Sequence, residues 1–519
     1  MVQKWFISII LTLTGLVHTP IFAQKLSLDD LFGQNGKVST DFIGLDDRAY
    51  SIALQRDNKI LLAGWSHNGS DYDFAVVRYN DNGILDTTFS SDGRLTLDFN
   101  GNNDRIYSIS VLNSTRILVA GYCGDMNGIS DFCLACFDQN GNLDHTFGNS
   151  GTVVTRINNN NSRGYTLQIQ DDGKILVAGQ GYFGPNGDFA IVRYNKEGHI
   201  DSTFNAVGIQ IIDFDAWNDQ ALAMAIGTDG KILVSGTSLN KIVLTRLNNN
   251  GTMDSSFALN GKLVIDNGAG SGLKNALAIQ QDGKILIAGT YNGDVMLIRC
   301  SENGSVDSSF QSNGLAVVDY GQSLDKGSSI SIQNDGKIIV TGKTYVNGDY
   351  SDFALLRFNK DGSLDSTSSA DGKISTEFNG YNDWGYANII QSDGKILVAG
   401  ESATGNNYDF ALARYKNEGS LNSVVHKNPD AVAMTFFPNP FSSNATVRIR
   451  FQNLIDEEKI EFSICNTLGK TIQIPMTIHN INDYELQVEL NRGTLPSGVY
   501  FFQIRSNTRL LYNGKMIIN

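Results

Sequence analysis

The chain has 519 residues, with 54 acidic and 40 basic side chains, and its formal net charge at pH 7 is −14. Such a surface repels phosphate backbones, so the composition argues against nucleic acid as a partner. The five cysteines are an odd number spread over the chain, which excludes a protein built on a framework of disulfides.

The first residues have the pattern of a secretory signal peptide. Lys4 precedes a short apolar run, residues 6–17, and the Ile-Phe-Ala segment 21–23 offers a small-residue cleavage site. The run is shorter than the roughly 18 residues of a spanning helix, and no later segment is apolar enough to cross a bilayer. We therefore expect cleavage after Ala23, export across the inner membrane, and a mature chain without a transmembrane segment.

The chain then repeats itself seven times. A Lys-Ile-Leu-Leu-Ala-Gly phrase at residues 59–64 returns at steps of 57, 58, 57, 53, 53 and 58 residues. A second phrase, Leu-Asp-x-x-Phe at residues 85–89, keeps the same interval. Its aspartate stands at Asp29, Asp86, Asp144, Asp201, Asp254, Asp307 and Asp365.

Each unit contains four short segments with the pattern of strands. In one unit these are residues 94–99, 107–111, 117–120 and 132–137, and the first alternates polar and apolar residues as a half-exposed strand does. In most units an Asp-Gly pair joins the middle two segments. Such a pair predicts a two-residue hairpin with positive φ at both positions.

Repeated four-strand units of this length predict an all-β fold, a seven-bladed β-propeller of four-stranded blades over residues 24–423. An open stack of β units is the alternative. The ends favour closure, because the chain starts with a connector phrase at residues 28–32 and the last connector decays at residues 421–424. The N-terminal connector could complete the last blade and hide the sheet edges.

The two repeated phrases also carry a resemblance. Residues 28–420 resemble the delta-60 repeat family of secreted bacterial proteins, through the DGKI-LVAG and LDxxF phrases. The resemblance implies a secreted repeat protein and no particular chemistry.

Two charged positions recur on the fourth segment of the unit. An aspartate near its start stands at Asp73, Asp131, Asp188, Asp294, Asp352 and Asp409. An arginine five residues later stands at Arg78, Arg193, Arg246, Arg299, Arg357 and Arg414, and Cys136 is the exception. We interpret the two as an ion pair between neighbouring blades, with a functional ring of charge as the alternative.

The connector phrase is interpreted as structural. Asp86 is expected to cap a turn, and Phe89 is expected to pack between blades. Ser368 replaces this phenylalanine in one unit, so we expect a weaker contact between blades there.

Charged and aromatic residues precede the second strand of several units, at one end of the ring. They form a candidate binding rim for a polymer or a protein: Asp47, Arg48, Asp104, Arg105, Asp383 and Trp384. Solvated loops without a ligand are the alternative.

Catalytic and metal-ligating residues are not assigned. Cys133 and Cys136 lie three apart on a strand and face opposite ways, so they are not expected to share a metal. A cross-strand disulfide between Cys123 and Cys133 stays open. No cofactor is expected, although Ca²⁺ bound by the Asp/Asn-rich turns is an alternative; no loop has the DxDxDG order.

The composition changes after a linker at residues 424–432. Alternating segments in residues 433–519 predict a small C-terminal β-sandwich. Four motifs stand there in order: Phe437-Pro438-Asn439-Pro440-Phe441, a turn with Gly469, Leu495-Pro496-Ser497-Gly498-Val499-Tyr500, and a basic-apolar end that starts at Lys515.

These four motifs resemble the type A C-terminal sorting domain of the type IX secretion system. Phe437 stands where that family has tyrosine, and Asn519 stands where it has lysine. The resemblance implies that the type IX machinery is a partner and that the chain is secreted or attached to the outer cell surface. A passive sandwich or an adhesion module is the alternative.

Regular blades without a convergent catalytic set predict a non-enzymatic propeller that binds an extracellular ligand, a glycan or a protein. The alternative is an extracellular carbohydrate-active enzyme with carboxylates in the central mouth of the ring. Acidic and aromatic side chains that converge there from non-repeating positions would favour the enzyme.

Overall fold

The computed structural model describes most of the chain. The predicted signal peptide and residues 424–430 of the predicted linker lie outside the described part. The described residues are 25–99, 101–113, 115–215, 217–266, 275–321, 324–345, 350–369, 371–418, 431–437, 443–451, 460–466, 471–472, 476–482, 485–493, 495–506 and 509–518.

Every helix or strand assigned in this part is a strand, as the repeat pattern predicts. No helix of the described residues has the length and hydropathy needed to span a membrane. The chain divides into two compact units, Gln24–Glu418 and a second that includes Gly419–Asn519.

The first unit is a ring of seven antiparallel sheets, each forming one blade. Two N-terminal strands, β1 (Lys25–Leu28) and β2 (Lys37–Thr40), belong to the last blade. The first three blades are β3 (Asp47–Leu54), β4 (Ile60–His67), β5 (Tyr72–Tyr79) and β6 (Arg94–Leu97); β7 (Arg105–Asn113), β8 (Arg116–Gly124), β9 (Ser130–Asp138) and β10 (Thr152–Thr155); and β11 (Ser162–Ile169), β12 (Ile175–Tyr182), β13 (Gly187–Tyr194) and β14 (Ile209–Ile212).

The remaining blades repeat this order. They are β15 (Asp219–Ile226), β16 (Ile232–Ser238), β17 (Lys241–Leu247) and β18 (Lys262–Ile265); β19 (Ala276–Ile279), β20 (Ile285–Tyr291), β21 (Asp294–Cys300) and β22 (Leu315–Val318); β23 (Lys326–Ile332), β24 (Ile338–Thr344), β25 (Asp352–Phe358) and β26 (Lys373–Thr376); and β27 (Asp383–Ile390), β28 (Ile396–Ala403) and β29 (Tyr408–Glu418).

The N-terminus closes the ring. Strand β2 pairs with β29 from Lys37 opposite Ala413 to Thr40 opposite Phe410, and β1 pairs with the end of the same strand. The N-terminal segment therefore supplies the outer strand of the seventh blade and covers an edge that would otherwise be unpaired. The predicted seven-bladed ring is confirmed, and it closes by strand exchange.

The sequence units and the blades are out of phase by one strand. Residues 94–97, the first strand of a sequence unit, form the outer strand of the preceding blade and pair with β5. The connector causes this, because Asp86 donates its backbone N–H to the carbonyl of Arg78 (2.9 Å) and turns the chain back along β5. The chain passes to the next blade only after this strand.

The hairpins within the blades are longer than predicted. In the third blade the backbone carbonyl of Gln170 accepts a hydrogen bond from the backbone N–H of Gly173 (2.8 Å), and Gly173 has φ +82°. Asp172 does not have positive φ. The expected two-residue turn is therefore wrong: the hairpin is a type I turn followed by a left-handed glycine, which the longer loop allows.

The recurrent arginine joins two blades, but not through the predicted aspartate. Arg78 donates from Nε to Asp86 Oδ2 of its own connector (2.7 Å) and from Nη1 to the carbonyl of Gln139 in the next blade. Its guanidinium lies 4.7 Å from the centroid of the Phe89 ring. Asp73 cannot be its partner, because five residues of extended chain, about 16 Å, separate the two ends of the strand.

We call this arrangement the connector latch. Asp86 Oδ1 also accepts bonds from the backbone and hydroxyl of Thr88 (3.2 and 2.7 Å), and Phe89 is fully buried among residues of both blades, as predicted. The same Arg–Asp pair recurs as Arg193–Asp201, Arg246–Asp254, Arg299–Asp307, Arg357–Asp365 and Arg414–Asp29.

The second blade builds its latch from a different strand. Cys136 occupies the arginine position, and Arg116 at the start of β8 donates to Asp144 Oδ2 (2.5 Å) and to the carbonyl of Lys196 (3.1 Å). Its guanidinium lies 5.9 Å from the Phe147 ring centroid. The neighbouring strand thus restores the contacts that Cys136 cannot make.

Substitutions at Arg116 and Cys136 test whether Arg116 replaces the missing latch arginine. Arg116→Lys keeps a charge near Asp144 but loses the bond to the next blade, so we expect it to lower the free energy of unfolding by about 1–2 kcal/mol. Adding Cys136→Arg in that background restores the arrangement of the other blades and should recover most of the loss. Urea unfolding measures both, and a double variant less stable than Arg116→Lys would contradict the assignment.

The latches also predict a dependence of stability on acid. Burial opposes ionisation of Asp86, but bonds from Lys59 and Thr88 and the charge of Arg78 outweigh it and lower the pKa to about 2. An aspartate with a depressed pKa in the folded state stabilises the fold above its unfolded pKa, near 4, and loses that contribution as the pH falls towards 2. Asp86→Asn should therefore be less stable than the wild type at pH 5, and the difference should shrink by pH 2.5. Urea unfolding across this range decides it, and a constant difference would refute the role of ionised Asp86.

Where Ser368 replaces the connector phenylalanine, a residue of the N-terminal strand packs between the blades. Ser368 is buried, its hydroxyl donates to the carbonyl of Asp365 (2.8 Å), and its carbonyl accepts the backbone N–H of Leu26 (2.7 Å). Leu26 on β1 is buried in the core between the sixth and seventh blades. The N-terminal strand therefore adds contacts at the junction where Ser368 was expected to weaken the contact between blades.

The cysteines of β8 and β9 divide between two cores. Cys123 and Cys133 form a disulfide, with 5.7 Å between their Cα atoms. Cys136 is free and buried in the core on the other side of the sheet. The prediction that Cys133 and Cys136 face opposite ways is confirmed.

The second unit contains two four-stranded sheets, as expected of a small sandwich. One has the order β30-β31-β35-β34 and the other β33-β32-β36-β37. Their strands are β30 (Ala431–Phe437), β31 (Asn444–Phe451), β32 (Ile460–Asn466), β33 (Thr471–Ile472), β34 (Met476–Asn482), β35 (Glu485–Asn491), β36 (Gly498–Ser506) and β37 (Arg509–Ile518).

Candidate functional site

The first strand of every blade lies nearest the ring axis. Together these strands enclose a central channel of about 550 Å³. Its lining includes Tyr50 and Tyr107 from the first two blades, Tyr165 from the third, and Trp384 and Tyr386 from the seventh. The sequence alone did not identify this strand as the innermost.

Aromatic rings form a continuous arc along one side of the channel. Tyr50 lies 4.8 Å from Tyr386 and 5.0 Å from Tyr107 between ring centroids, and Tyr107 lies 5.2 Å from Tyr165. Trp384 stacks on Tyr386 at 4.7 Å. The four tyrosines occupy the same strand position in four consecutive blades, and we call them, with Trp384, the aromatic arc.

The opposite side of the channel has no aromatic residue at the position of the tyrosines. The position of the tyrosines is taken by Leu222, Asn275 and Ser328 in the other three blades. Ser328 accepts a hydrogen bond from Nε1 of Trp384 (3.0 Å), which fixes the indole against the wall. The channel is therefore asymmetric although the ring is built from repeats.

Cationic side chains surround the mouth beside the arc. Arg163 is exposed and lies 4.9 Å from the ring of Tyr122, and Lys326 and Lys343 lie 5.2 and 4.4 Å from the ring of Trp384. Arg105 lies between two aromatic rings, at 4.9 Å from that of Trp65 and 4.5 Å from that of Tyr72. Among the described residues, no carboxylate forms a salt bridge with these four cations. The mouth is thus locally basic on a chain of net charge −14.

A buried carboxylate lies behind the arc. Glu401 is 3% exposed, and its Oε1 accepts bonds from Arg48 Nη1 and Tyr386 Oη, both 3.2 Å. This contact positions Arg48, whose guanidinium also lies 4.3 Å from the ring of Tyr408. Glu401 therefore orders the arc from behind and does not line the channel.

Two tyrosines of the arc, Tyr50 and Tyr165, have raised pKa values and hold their protons firmly. Burial, followed by the neighbouring Tyr107, raises the pKa of Tyr165 to about 12. Burial also raises the pKa of Tyr50. A general base works best with a pKa near the working pH, so these phenols are poorly suited to abstract a proton.

The residues of the predicted rim separate into two groups. Asp47, Asp104 and Asp383 are 0, 0 and 1% exposed, so the prediction that they belong to an exposed surface is wrong. Their carboxylates instead accept backbone N–H bonds across the loop that enters each blade, as Asp104 Oδ2 does from Phe99 (2.7 Å). Sequence could not show this, because an aspartate that caps a buried loop and one on a surface have the same pattern.

The other predicted rim residues, Arg48, Arg105 and Trp384, each stand two positions before a tyrosine of the arc. Trp384 lines the channel, and Arg48 and Arg105 stack on the ring of Trp65, which is not part of its lining. Sequence reasoning missed Tyr50, Tyr165 and Tyr386. Their shared position, two residues after the arginine or tryptophan at the start of the strand, was the available signal.

The predicted sorting motifs are only partly described. Phe437 ends β30 and Lys515 lies on β37, whereas residues 438–441 and Gly469 lie outside the described residues. Leu495 and Pro496 precede β36, which Gly498 begins. Tyr500 is 5% exposed and donates from Oη to the carbonyl of Pro496 (2.9 Å), which closes the turn of this motif.

Two family models match the chain. One, described as a domain of unknown function (DUF5122) beta-propeller, matches residues 55–89, 116–147, 170–204, 227–257, 280–310, 333–367 and 391–423. The other, described as a secretion system C-terminal sorting domain, matches residues 435–519. No curated protein matches the chain.

Several solved structures resemble the chain at low identity. A streptogramin B lyase structure has a TM-score of 0.44 at 11% identity and covers 73% of this chain and 97% of its own. Polysaccharide lyase Uly1 has a TM-score of 0.41 at 11% identity and covers 74% and 93%. A catalytically inactive virginiamycin B lyase from Staphylococcus aureus with quinupristin has a TM-score of 0.34 at 10% identity and covers 88% and 98%. With TM-scores below 0.5, these likenesses carry no argument about function.

Proposed function

The chain belongs to the DUF5122 β-propeller family and ends in a secretion system sorting domain, and from this premise we propose that it is an exported, non-enzymatic protein that binds acidic polysaccharide in its channel mouth. The sorting domain indicates a secreted or outer-surface location. The motif residues around Pro440, Gly469, Tyr500 and Lys515 are proposed as the part that the type IX machinery recognises.

The aromatic arc beside unpaired cations is the observation that carries this proposal. The C–H faces of sugar rings are apolar and pack against aromatic rings, and Tyr50, Tyr386 and Trp384 offer such faces in a row. Arg163 and Lys326 add positive charge at the same mouth. A cleft lined by one sign of charge concentrates ligands of the opposite sign, which favours uronic or sulfated sugars over neutral ones.

The composition of the channel argues against a glycosidase. Most glycosidases cleave the glycosidic bond with a pair of carboxyl groups on either side of it. None of the described residues that line the channel is aspartate, glutamate or histidine. The enzyme hypothesis called for both aromatic and acidic side chains in the central mouth. Aromatic side chains line the channel, but among the described residues acidic ones do not.

Binding to defined polysaccharides tests the proposal. Polygalacturonate and dextran sulfate should bind the full-length protein saturably in surface plasmon resonance, whereas neutral dextran should not. Trp384→Ala should weaken binding about tenfold, because a stacking contact of about 1.5 kcal/mol is lost. Added salt should weaken it further.

A second exposed tryptophan provides the control. Trp217 is 53% exposed in the first unit and does not line the channel, so Trp217→Ala should leave the affinity unchanged. Equal losses for both variants, or no binding of any acidic polysaccharide, would overturn the proposal. Shortened chains in the same samples would support the carbohydrate-active enzyme instead.

A further inference from the structure

Three carboxylates meet where one blade passes to the next. Asp73 near the start of β5, Asp98 after β6 and Asp104 before β7 bring together one oxygen each, all within 4.8 Å of one another. We call this group a junction trio. It lies outside the channel and takes no part in the proposed polysaccharide binding.

The junction trio recurs around the ring. Three further junctions have the same geometry: Asp41, Asp47 and Asp409; Asp188, Asp213 and Asp219; and Asp294, Asp319 and Asp325. Each combines the third strand of one blade, the residue after its outer strand and the loop into the next blade. Asp73, Asp188, Asp294 and Asp409, which were predicted to pair with the recurrent arginines, thus lie beside two other aspartates instead.

Three of the four trios contain a buried carboxylate oxygen without a well-formed hydrogen bond. Asp47, Asp73 and Asp219 are 0, 8 and 0% exposed, and no donor bonds to Oδ1 of any of them with ordinary geometry among the described residues. The hydroxyls of Ser66 and Ser238 interact with the carboxylates of Asp47 and Asp219. Buried carboxylates without a donor or a counter-ion are unfavourable, so these oxygens call for a positive partner.

Two other junctions contain such a partner in their own sequence. Arg156 replaces the aspartate after the outer strand of the second blade, and its Nη2 lies 2.7 Å from both Asp131 Oδ2 and Asp125 Oδ2. In the fourth blade Lys241 replaces the aspartate of the third strand, and its Nζ lies 3.3 Å from Asp266. Where the chain supplies a cation, the set of three aspartates is absent.

We propose that each of the four junction trios binds one Ca²⁺ ion. Two oxygens that share an ion at about 2.4 Å are at most 4.8 Å apart, and the trio oxygens satisfy that limit. Ca²⁺ accepts irregular sets of six to eight oxygens and fits better than Mg²⁺, which demands a near-ideal octahedron. Asp98 is exposed, so water can complete the coordination.

The existing hydrogen bonds are compatible with metal binding. Asp104 accepts the backbone N–H groups of Phe99 (2.7 Å) and Gly124 (3.2 Å), which hold its carboxylate in place. Each carboxylate oxygen has two lone pairs, so an oxygen that accepts one N–H can still ligate an ion. The loop contacts thus orient the carboxylates of the trio.

Calcium binding to the full-length protein tests the proposal. After EGTA treatment, equilibrium dialysis against Ca²⁺ in the range of 0.1–5 mM, roughly the affinity of extracellular modules, should give four ions bound per chain. Ca²⁺ should raise the Tm by several degrees, because the ion binds only the folded state. Asp98→Asn, a conservative change at an exposed position, should reduce the number bound to three.

Two further variants separate a metal site from a general effect of charge. Asp266→Asn removes an aspartate from a junction that already contains Lys241, so the number of bound ions should stay at four. Asp98→Arg copies the Arg156 junction and should also bind three ions, with a Tm in EGTA above that of the wild type. The absence of bound Ca²⁺, or a number that Asp98→Asn does not change, would overturn the proposal. Should Asp98→Asn fail to fold, Asp213→Asn tests the third-blade trio in the same way.

Discussion

Removal of residues 24–41 should abolish cooperative folding of the propeller. The deletion takes away β1 and β2, leaves the edge of β29 unpaired and empties the place of Leu26 in the core between the last two blades. It also removes Asp29, so that Arg414, which is 4% exposed, loses its latch partner (2.9 Å). Arg414 then keeps only the exposed Asp81 as an ionic partner among the described residues (3.2 Å). Removal of one partner from a buried ion pair costs about 3–5 kcal/mol, which is a large part of the stability of an ordinary domain.

Circular dichroism and urea unfolding of the truncated protein measure this effect. We expect a broad transition and aggregation through the exposed strand edge. A synthetic peptide of residues 24–42 added in trans should restore a sharp transition by pairing with β29, whereas a scrambled peptide should not. A truncated protein that unfolds as sharply as the full chain would show that strand exchange does not hold the ring closed.

Arg357→Met should be the most destabilising single substitution in a latch. Arg357 is fully buried, and its Nε donates to Asp365 Oδ2 (2.7 Å), which is also buried. The variant leaves Asp365 with only Lys337 at 2.5 Å as an ionic partner. We expect a loss of about 3 kcal/mol in the free energy of unfolding, at the lower end for a broken buried pair because Lys337 remains.

A matched pair of variants checks this value. Arg94→Met removes a partly exposed arginine whose Asp92 partner is exposed (3.5 Å), and it should cost less than about 1 kcal/mol. Adding Asp365→Asn to Arg357→Met removes the buried carboxylate that has lost one of its two cationic partners, and it should recover part of the loss. Equal costs for Arg357→Met and Arg94→Met in urea unfolding would refute the latch as a major contact between blades.

The architecture could be predicted from the sequence because the same pattern of strands and connector occurs seven times. Phe89 and its equivalents recur at the spacing of the blades, and a residue type needed in every blade shows its role by recurrence. The connector at residues 28–32 likewise predicted closure of the ring. No blade precedes it in the sequence, so the strand that follows it has to pair with the last blade.

What failed were assignments of partners in space. Asp73 and Arg78 recur together along the strand, yet they lie at its two ends, and each has partners from other segments. Recurrence identifies a position but not its neighbour. Compensation is equally hidden, because Arg116 on an adjacent strand makes the contacts of the arginine that Cys136 replaces.

The channel was missed for a related reason. The tyrosines at positions 50, 107, 165 and 386 belong to only four blades, so they do not stand out as a repeat. Their convergence depends on which strand lies nearest the axis. A site formed by residues that differ between the repeats can be recognised only from the three-dimensional arrangement of the blades.

A crystal structure of the protein with an acidic oligosaccharide, such as a short oligogalacturonate, would show directly whether the channel mouth binds polysaccharide. We expect a sugar ring packed on Trp384 and Tyr386, with its carboxylates near Arg163 or Lys326. An oligosaccharide bound on the outer surface of the blades, or an empty channel at saturating ligand, would contradict it.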